Sequence, residues 1–180
     1  TVIVPCDASE TKNGTIAAAN IFGPVYLRLG RSGVPAMTSK DDVFTIGKSM
    51  MLRDGRDVAI FACGQMVSEG ALACDILAKD GISARLINMH TVKPIDKEAI
   101  IKAAKETGAI VTAEEHTVMG GFGSAVSEVV SQEFPVPLKM VGVKDRFGLS
   151  GEPDELFKYF GLTADDIVKA AKEAIRMKKR

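Results

Sequence analysis

Strand-like and helix-like segments alternate three times after residue 57, and this alternation constrains the fold more than any other feature. The continuous apolar run at 58–62 is typical of a strand that is buried on both faces, and short apolar runs recur at 84–88 and 109–112. A helical pattern follows each of these runs. Right-handed crossovers place such units in a parallel sheet with helices on both faces. The predicted fold class is therefore α/β.

Shorter segments extend this pattern at both ends. Residues 138–141 predict a last strand, and helical patterns follow over 153–160 and from Thr163 onward. In front of the first buried strand, short apolar runs occupy 43–46 and 49–52. Either run can add a strand that pairs antiparallel at one edge of the sheet.

The N-terminal residues form a separate unit. Residues 1–4 and 25–29 read as strands, and a helix capped by Ser9 runs between them to about Asn20. Two strands and one helix cannot bury their own apolar faces, so a neighbour or residues outside this sequence must complete their sheet. The chain also opens at Thr1 inside an apolar run, without an initiating methionine. We therefore expect a piece of a longer protein.

The segment after this unit predicts a domain boundary. Glycine, proline, serine and charged residues dominate it, and neither a strand nor a helix period is visible. We place a linker at 33–41, which divides the chain into a unit at 1–32 and a domain at 42–180.

Composition excludes several classes of partner. The chain has 23 basic and 23 acidic residues, so it lacks the electrostatic character expected for binding nucleic acid or an anionic membrane. No apolar stretch approaches the roughly 18 residues that a membrane span needs. The cysteines, Cys6, Cys63 and Cys74, share no metal or redox spacing. Cys63 and Cys74 lie in apolar surroundings, which predicts reduced, buried thiols in a cytoplasmic protein.

A glycine run marks the third strand–helix connection. Gly120, Gly121 and Gly123 lead into a helix, and the backbone N–H groups of a helix N-terminus can bind phosphate. The spacing is not a full dinucleotide fingerprint, and six residues separate the strand from the glycines. Two interpretations remain open: a nucleotide site, or glycines that let helix and strand pack closely.

Both histidines are predicted at the carboxyl edge of the sheet, where ligands of open α/β sheets gather. His90 follows the second buried strand, whereas Glu114, Glu115 and His116 follow the third. One interpretation is acid–base work by a histidine with a carboxylate partner. The other is a polar rim that contacts another domain or subunit, and it is favoured because neither a nucleophile nor a metal-ligand spacing accompanies the histidines.

Two arginines offer a different kind of site. Arg28 and Arg31 lie at the end of strand 25–29, in a glycine turn. An arginine in this position is well placed to bind a phosphate through two parallel hydrogen bonds, although a solvated linker arginine is the ordinary alternative.

Four segments together indicate a family, namely residues 23–31 (GPVYLRLGR), 87–96 (INMHTVKPID), 114–126 (EEHTVMGGFGSAV) and 142–153 (GVKDRFGLSGEP). They resemble the C-terminal portion of transketolases, and in particular the separate C-terminal subunit of two-subunit transketolases. The resemblance covers essentially the whole chain.

The resemblance implies an architecture. Residues 1–32 resemble the last strand–helix–strand of a pyrimidine-binding domain. Residues 42–180 resemble the transketolase C-terminal domain, a three-layer α/β/α fold whose mixed five-stranded sheet has an antiparallel first strand.

It also implies a function: transfer of a two-carbon ketol unit between sugar phosphates in the pentose phosphate pathway, with thiamine diphosphate and magnesium. In this family an arginine at the position of Arg31 helps to bind the sugar phosphate, and Arg28 is supported less directly. The parts that hold cofactor and metal are missing, so the chain alone should bind neither and be inactive. We expect it to serve packing and homodimer formation with an N-terminal subunit or the remaining part of the chain.

The family places its active site in the missing domains, so no catalytic or metal-binding residue is assigned here. The expected interface or regulatory rim consists of His90, Glu114, His116, Gly121 and Gly123. The alternatives are the same portion of 1-deoxyxylulose-5-phosphate synthase or of a 2-oxoacid dehydrogenase β subunit, and a free-standing nucleotide-binding module. Arg31 fits the sugar-phosphate enzymes better than the dehydrogenases.

Overall fold

The computed structural model describes residues 1–178, so the last two residues of the predicted domain at 42–180 lie outside the description. The elements in chain order are β1 (Val2–Ile3), α1 (Ala8–Ala19), β2 (Tyr26–Leu27), β3 (Met50–Arg53), β4 (Val58–Ala62), α2 (Met66–Lys79), β5 (Ala84–Asn88), β6 (Thr91–Lys93), α3 (Lys97–Thr107), β7 (Ile110–Thr117), α4 (Phe122–Glu133), β8 (Leu138–Val143), α5 (Pro153–Phe160) and α6 (Ala164–Met177). None of these helices has the length and apolar character needed to cross a bilayer.

The main sheet has five strands in the order β3-β5-β4-β7-β8. β3 pairs antiparallel with β5 at one edge, and the other pairs are parallel. This confirms the predicted mixed sheet with an antiparallel first strand. That strand comes from the run at 49–52, whereas the run at 43–46 forms no strand. Instead, the Phe44 ring packs on the His90 ring, with 4.0 Å between centroids.

Helices cover both faces of this sheet. β4 is buried throughout, and its alternate residues point to opposite sides. Val58, Ile60 and Ala62 join the core beneath α2 and α6, whereas Ala59 and Phe61 join the core beneath α3 and α4. Complete burial of Phe61 alone contributes about 2–3 kcal/mol. The α/β/α layering predicted from the alternating pattern is therefore present.

β7 is longer than the sequence predicted. The strand was expected to end at Thr112, but it continues to Thr117, which pairs with Val143 of β8 after an irregularity in register. Glu114, Glu115 and His116 consequently lie in a strand and not in a loop. These polar residues predicted a loop because polar side chains usually face solvent. Here the carboxylate of Glu114 is instead buried and accepts hydrogen bonds from within the chain.

A second, three-stranded sheet has the order β2-β1-β6. β1 pairs parallel with β2 and antiparallel with β6, a strand that the sequence analysis missed. β6 is therefore the neighbour that extends the sheet of the two N-terminal strands, which are too small to bury their apolar faces alone. The amide of Val4 donates to the carbonyl of His90 (2.8 Å), and the amide of Gly64 donates to the carbonyl of Val4 (3.1 Å).

Two buried carboxylates fasten α1 to its surroundings. Asp7, and not the predicted Ser9, caps the helix by accepting from the Glu10 amide at 2.9 Å. Asp7 Oδ2 also accepts from the amides of Met37 (2.7 Å) and Thr38 (2.6 Å). Burial tends to raise the pKa of Asp7, but these hydrogen bonds outweigh it and lower the pKa. Glu10 accepts from Asn88 Nδ2 at 2.7 Å, which ties α1 to β5.

Candidate functional site

Arg28 joins the N-terminal unit to the carboxyl edge of the main sheet. Its Nη2 donates to the carbonyl oxygen of Glu115 at 2.6 Å and lies 3.9 Å from Glu115 Oε2. Gln65, at the end of the loop after β4, donates from Nε2 to the same carboxylate oxygen. The ends of β2, β4 and β7 are therefore linked through three side chains.

Next to this link lies a cavity of about 750 Å³, here called the arginine cavity. Its polar lining includes Arg31, Gln65, Glu115, Arg146 and Glu152. Its apolar floor comes from β8, from α5 and from the turn after α5, namely Val143, Leu156, Phe157, Phe160 and Leu162. A concave space of this size with a few polar groups is typical of a small-molecule site.

The arginines at this edge differ in their environments. Arg28 is engaged with Glu115 and lines a separate groove of about 610 Å³. Arg31 and Arg146 are exposed to solvent and line the arginine cavity. Within residues 1–178, no ion pair involves either of them. The cavity therefore offers two guanidinium groups to an incoming anion.

The glycine loop, residues 118–123, has a different arrangement. Glu114 Oε2 accepts from the amide of Phe122 and Oε1 from the amide of Gly123, both at 2.7 Å. A Cβ at Gly121 would lie 2.2 Å from the carbonyl oxygen of Thr117, and one at Gly123 would lie 2.6 Å from Thr112 Oγ1. The glycines thus permit close packing of helix on strand. Because Glu114 occupies two amides at the start of α4, the geometry argues against a phosphate site there.

Glu114 is 1% exposed, which makes it a component of the core. Burial raises the pKa of its carboxyl, and the hydrogen bonds from Gly123 and Phe122 oppose this rise only in part. His116 lies on the solvent side, with its Nδ1 3.9 Å from Glu114 Oε2. The place of Glu114 in an interface or regulatory rim stays a prediction, and within this chain its carboxylate is buried.

The two histidines do not meet. His90 is only 2% exposed, and its place in an interface or regulatory rim stays a prediction. Its Nδ1 lies 3.0 Å from Thr91 Oγ1, and burial lowers the pKa of the imidazole to about 4. His116 lines the groove beside Arg28 and Gly121. His90 borders a different and smaller cavity, beside Phe44, so the structure does not bring the two side chains into one acid–base centre.

The cysteines are free and buried, as predicted for Cys63 and Cys74. Burial raises the pKa of the Cys63 thiol well above its usual range and that of Cys74 to about 11, which keeps both thiols protonated near neutral pH. The described part of the chain holds no cluster of three or more His, Cys, Asp or Glu side chains that could bind a metal ion.

The sequence analysis named Glu115 at this edge but did not single out two further polar residues of the cavity, Gln65 and Arg146. The rule that ligands gather at the carboxyl ends of strands pointed to their loops. Nothing in the sequence showed that Arg31 and Arg146 line the same cavity.

The fold and the site define an α/β/α domain with an antiparallel edge strand and an arginine-lined cavity at its carboxyl edge. Residues 47–167 match the family model described as the transketolase C-terminal domain. The chain belongs to this family.

Similar proteins include split forms of the enzyme. The chain is 47% identical over 178 residues to a 6-deoxy-6-sulfo-D-fructose transketolase subunit of Clostridium sp. (strain MSTE9), covering 99% of this chain and 55% of that protein. It is also similar to a solved structure described as a split gene transketolase, inactive beta4 tetramer, with a TM-score of 0.96 and 48% identity, covering 98% of this chain and 58% of the other.

The chain is also similar to an enzyme of a different kind, a synthase. The 1-deoxy-D-xylulose-5-phosphate synthase of Heliobacterium modesticaldum (strain ATCC 51547 / Ice1) is 38% identical over 175 residues, covering 96% of this chain and 27% of that protein. The chain therefore spans about half the length of the transketolase subunit and about a quarter of the synthase.

Proposed function

We propose that this chain is the C-terminal part of a transketolase that transfers a two-carbon ketol unit between sugar phosphates. The observation that carries this proposal is the similarity to split transketolases over nearly the whole chain, with a TM-score of 0.96. In this proposal Arg31 binds the phosphate of the sugar. Its exposure and its place in the arginine cavity support that role.

Thiamine diphosphate and a divalent metal ion supply the ketol chemistry in the complete enzyme under this proposal. The described residues do not fit this group, because they form no metal-binding cluster and because Glu114 engages two amides at the start of α4. We therefore assign cofactor and metal to parts of the enzyme that this chain does not span. On its own the chain is expected to be inactive, which agrees with the description of the similar tetramer as inactive.

The remaining part of the enzyme is the proposed partner, as an N-terminal subunit or as preceding sequence. β2 lies at the edge of the three-stranded sheet, where further strands can be added. This position supports the assignment of residues 1–32 to a pyrimidine-binding domain that the partner completes, with 33–41 as linker and 42–180 as the C-terminal domain. We further propose that the complete enzyme is a homodimer of such pairs, in which this domain serves packing.

The second candidate is the corresponding portion of 1-deoxyxylulose-5-phosphate synthase, which the 38% identity to one such enzyme favours. The two candidates differ in their donor substrate. A transketolase takes a ketose phosphate such as xylulose 5-phosphate, whereas the synthase takes pyruvate.

The test is to combine the chain with the N-terminal subunit of a split transketolase and to assay both donors with thiamine diphosphate and magnesium. We expect ketol transfer from xylulose 5-phosphate by the pair and none by either subunit alone. Turnover of pyruvate with an aldose phosphate would support the synthase instead. A well-formed pair that uses neither donor would overturn the proposal.

A further inference from the structure

The arginine cavity is built by two parts of the chain that are distant in sequence. Arg31 and Ser32 come from the segment after β2, and Arg146 comes from the loop between β8 and α5. The backbone turns sharply just before Arg146, because Asp145 adopts a φ of 46°. A non-glycine residue rarely adopts this left-handed conformation, and such outliers occur preferentially at functional sites.

The charges in the cavity favour an anion. Of its two lining carboxylates, Glu115 already accepts a hydrogen bond from Gln65 and lies 3.9 Å from Arg28 Nη2. Arg31 and Arg146 form no ion pair within residues 1–178. After this compensation, the two guanidinium groups that line the cavity outnumber the one remaining lining carboxylate, which is that of Glu152. Guanidinium groups bind phosphate oxygens through paired, charge-assisted hydrogen bonds.

The segment that carries Arg31 is also held in place. Arg28, which lies three residues before Arg31 in the sequence, donates a hydrogen bond to the carbonyl oxygen of Glu115. A Cβ at Gly30 would lie 3.6 Å from Nε2 of Gln65, so the Gln65 carboxamide packs directly on the intervening backbone. Gln65 and Glu115 therefore hold the backbone that leads to Arg31.

We propose that Arg146 is a second ligand for the terminal phosphate of the sugar substrate, and that it shares this anion with Arg31 across the arginine cavity. The C-terminal domain then takes part in substrate recognition as well as in packing. This inference rests on the proposed function for the identity of the sugar substrate. The oxyanion site itself can be tested in the chain alone.

The first experiment titrates inorganic phosphate into the chain and follows the arginine Nε–Hε signals by NMR. We expect saturable shifts for two arginines, and an increase in Kd of about tenfold in Arg31→Gln and in Arg146→Gln. The matched control is Arg56→Gln, since Arg56 is exposed and does not line the cavity. Unchanged phosphate affinity in Arg146→Gln, or no saturable shift in the wild-type chain, would overturn the site.

The second experiment uses the complete enzyme, reconstituted with the N-terminal subunit. Arg146→Gln should raise KM for a phosphorylated acceptor about tenfold while kcat changes less than twofold. KM for an unphosphorylated aldose should not change. Equal effects on both acceptors would indicate a structural role and overturn the proposal.

A wild-type pair without ketol transfer would overturn the proposed function, and the phosphate titration would then decide the oxyanion site by itself.

The variant Arg146→Lys tests whether the charge of Arg146 or its hydrogen-bonding geometry determines phosphate affinity. It keeps the positive charge but cannot form two parallel hydrogen bonds, so its phosphate affinity should lie between those of the wild-type chain and Arg146→Gln.

Discussion

The glycine loop and the arginine cavity lie at the same edge of the main sheet, yet their polar groups have opposite environments. At the glycine loop, the amides of Phe122 and Gly123 donate to a carboxylate that is 1% exposed. In the arginine cavity, Arg31 and Arg146 are exposed and have no carboxylate partner within residues 1–178.

Polar groups at the carboxyl edge of the sheet can therefore serve either the stability of the fold or the binding of a ligand. A polar group that is satisfied inside the chain holds elements together and has little left to offer a ligand. A charged group that is left to solvent costs little stability and can bind an anion. The comparison predicts that substitutions at the glycine loop change stability, whereas substitutions in the arginine cavity change binding.

The largest effect is expected for Glu114→Ala. This change leaves two buried amides without an acceptor, which should lower the free energy of unfolding by about 2–5 kcal/mol. Urea denaturation measures the loss. The control is Glu115→Ala, whose carboxylate is partly exposed and should cost at most about 1 kcal/mol. Equal losses in both variants would contradict the distinction.

His90 is a second buried polar side chain, and its burial makes the stability of the fold depend on pH. Burial lowers its pKa from 6.5 to about 4, so the folded protein favours the neutral imidazole. The resulting stability is present above pH 6.5 and is lost as the pH falls towards 4, by about 3 kcal/mol in total. Unfolding curves of the wild-type chain and His90→Gln should therefore differ in pH dependence within this window. His116→Asn, at an exposed position, is the matched control, and a wild-type pH dependence retained in His90→Gln would refute the assignment.

Close packing at the glycine loop is tested by Gly121→Ala. The new Cβ would meet a backbone carbonyl at 2.2 Å, which should cost about 1–3 kcal/mol as the helix moves away from the strand. Gly33→Ala is the control, because no heavy atom lies within 4 Å of its Cβ position. Thermal unfolding of both variants gives the comparison, and a neutral Gly121→Ala would show that the loop adjusts freely.

The smallest effect on stability is expected in the arginine cavity. Arg31→Gln and Arg146→Gln should each change the free energy of unfolding by less than about 0.5 kcal/mol, as is usual for exposed side chains. Chemical denaturation at low salt provides the measurement. A loss above about 1 kcal/mol in either variant would assign that arginine to the fold.

Much of the fold could be predicted because apolar periodicity reports burial directly. The run at 58–62 is buried on both faces, and the helices after it present their apolar residues to the two cores. β6 was missed because it has only three residues and pairs with β1, which lies about 90 residues earlier in the sequence. The end of β7 was missed because a strand with internally satisfied polar residues looks like a loop.

The site was predicted only at the level of the sheet edge. His90 and Glu114 follow or occupy strands that lead to this edge, and both are buried there. Whether a side chain at the end of a strand points into the core or into a cavity depends on packing of the next element, which local sequence does not encode. Arg31 could be named from its place after a strand and from the family resemblance, whereas only the three-dimensional structure shows that Arg146 lines the same cavity.

The pairing of β1 with β6 also has a consequence for the order of folding. Val2 lies opposite Lys93, so during synthesis β1 waits for a partner strand that is made about 90 residues later. At about 5–20 residues per second, this delay amounts to roughly 5–20 s. During that interval β1 and β2 have unpaired edges, and newly made chains are most exposed to aggregation or chaperone binding. The rate of synthesis over the residues between β1 and β6 should therefore influence the yield of native protein.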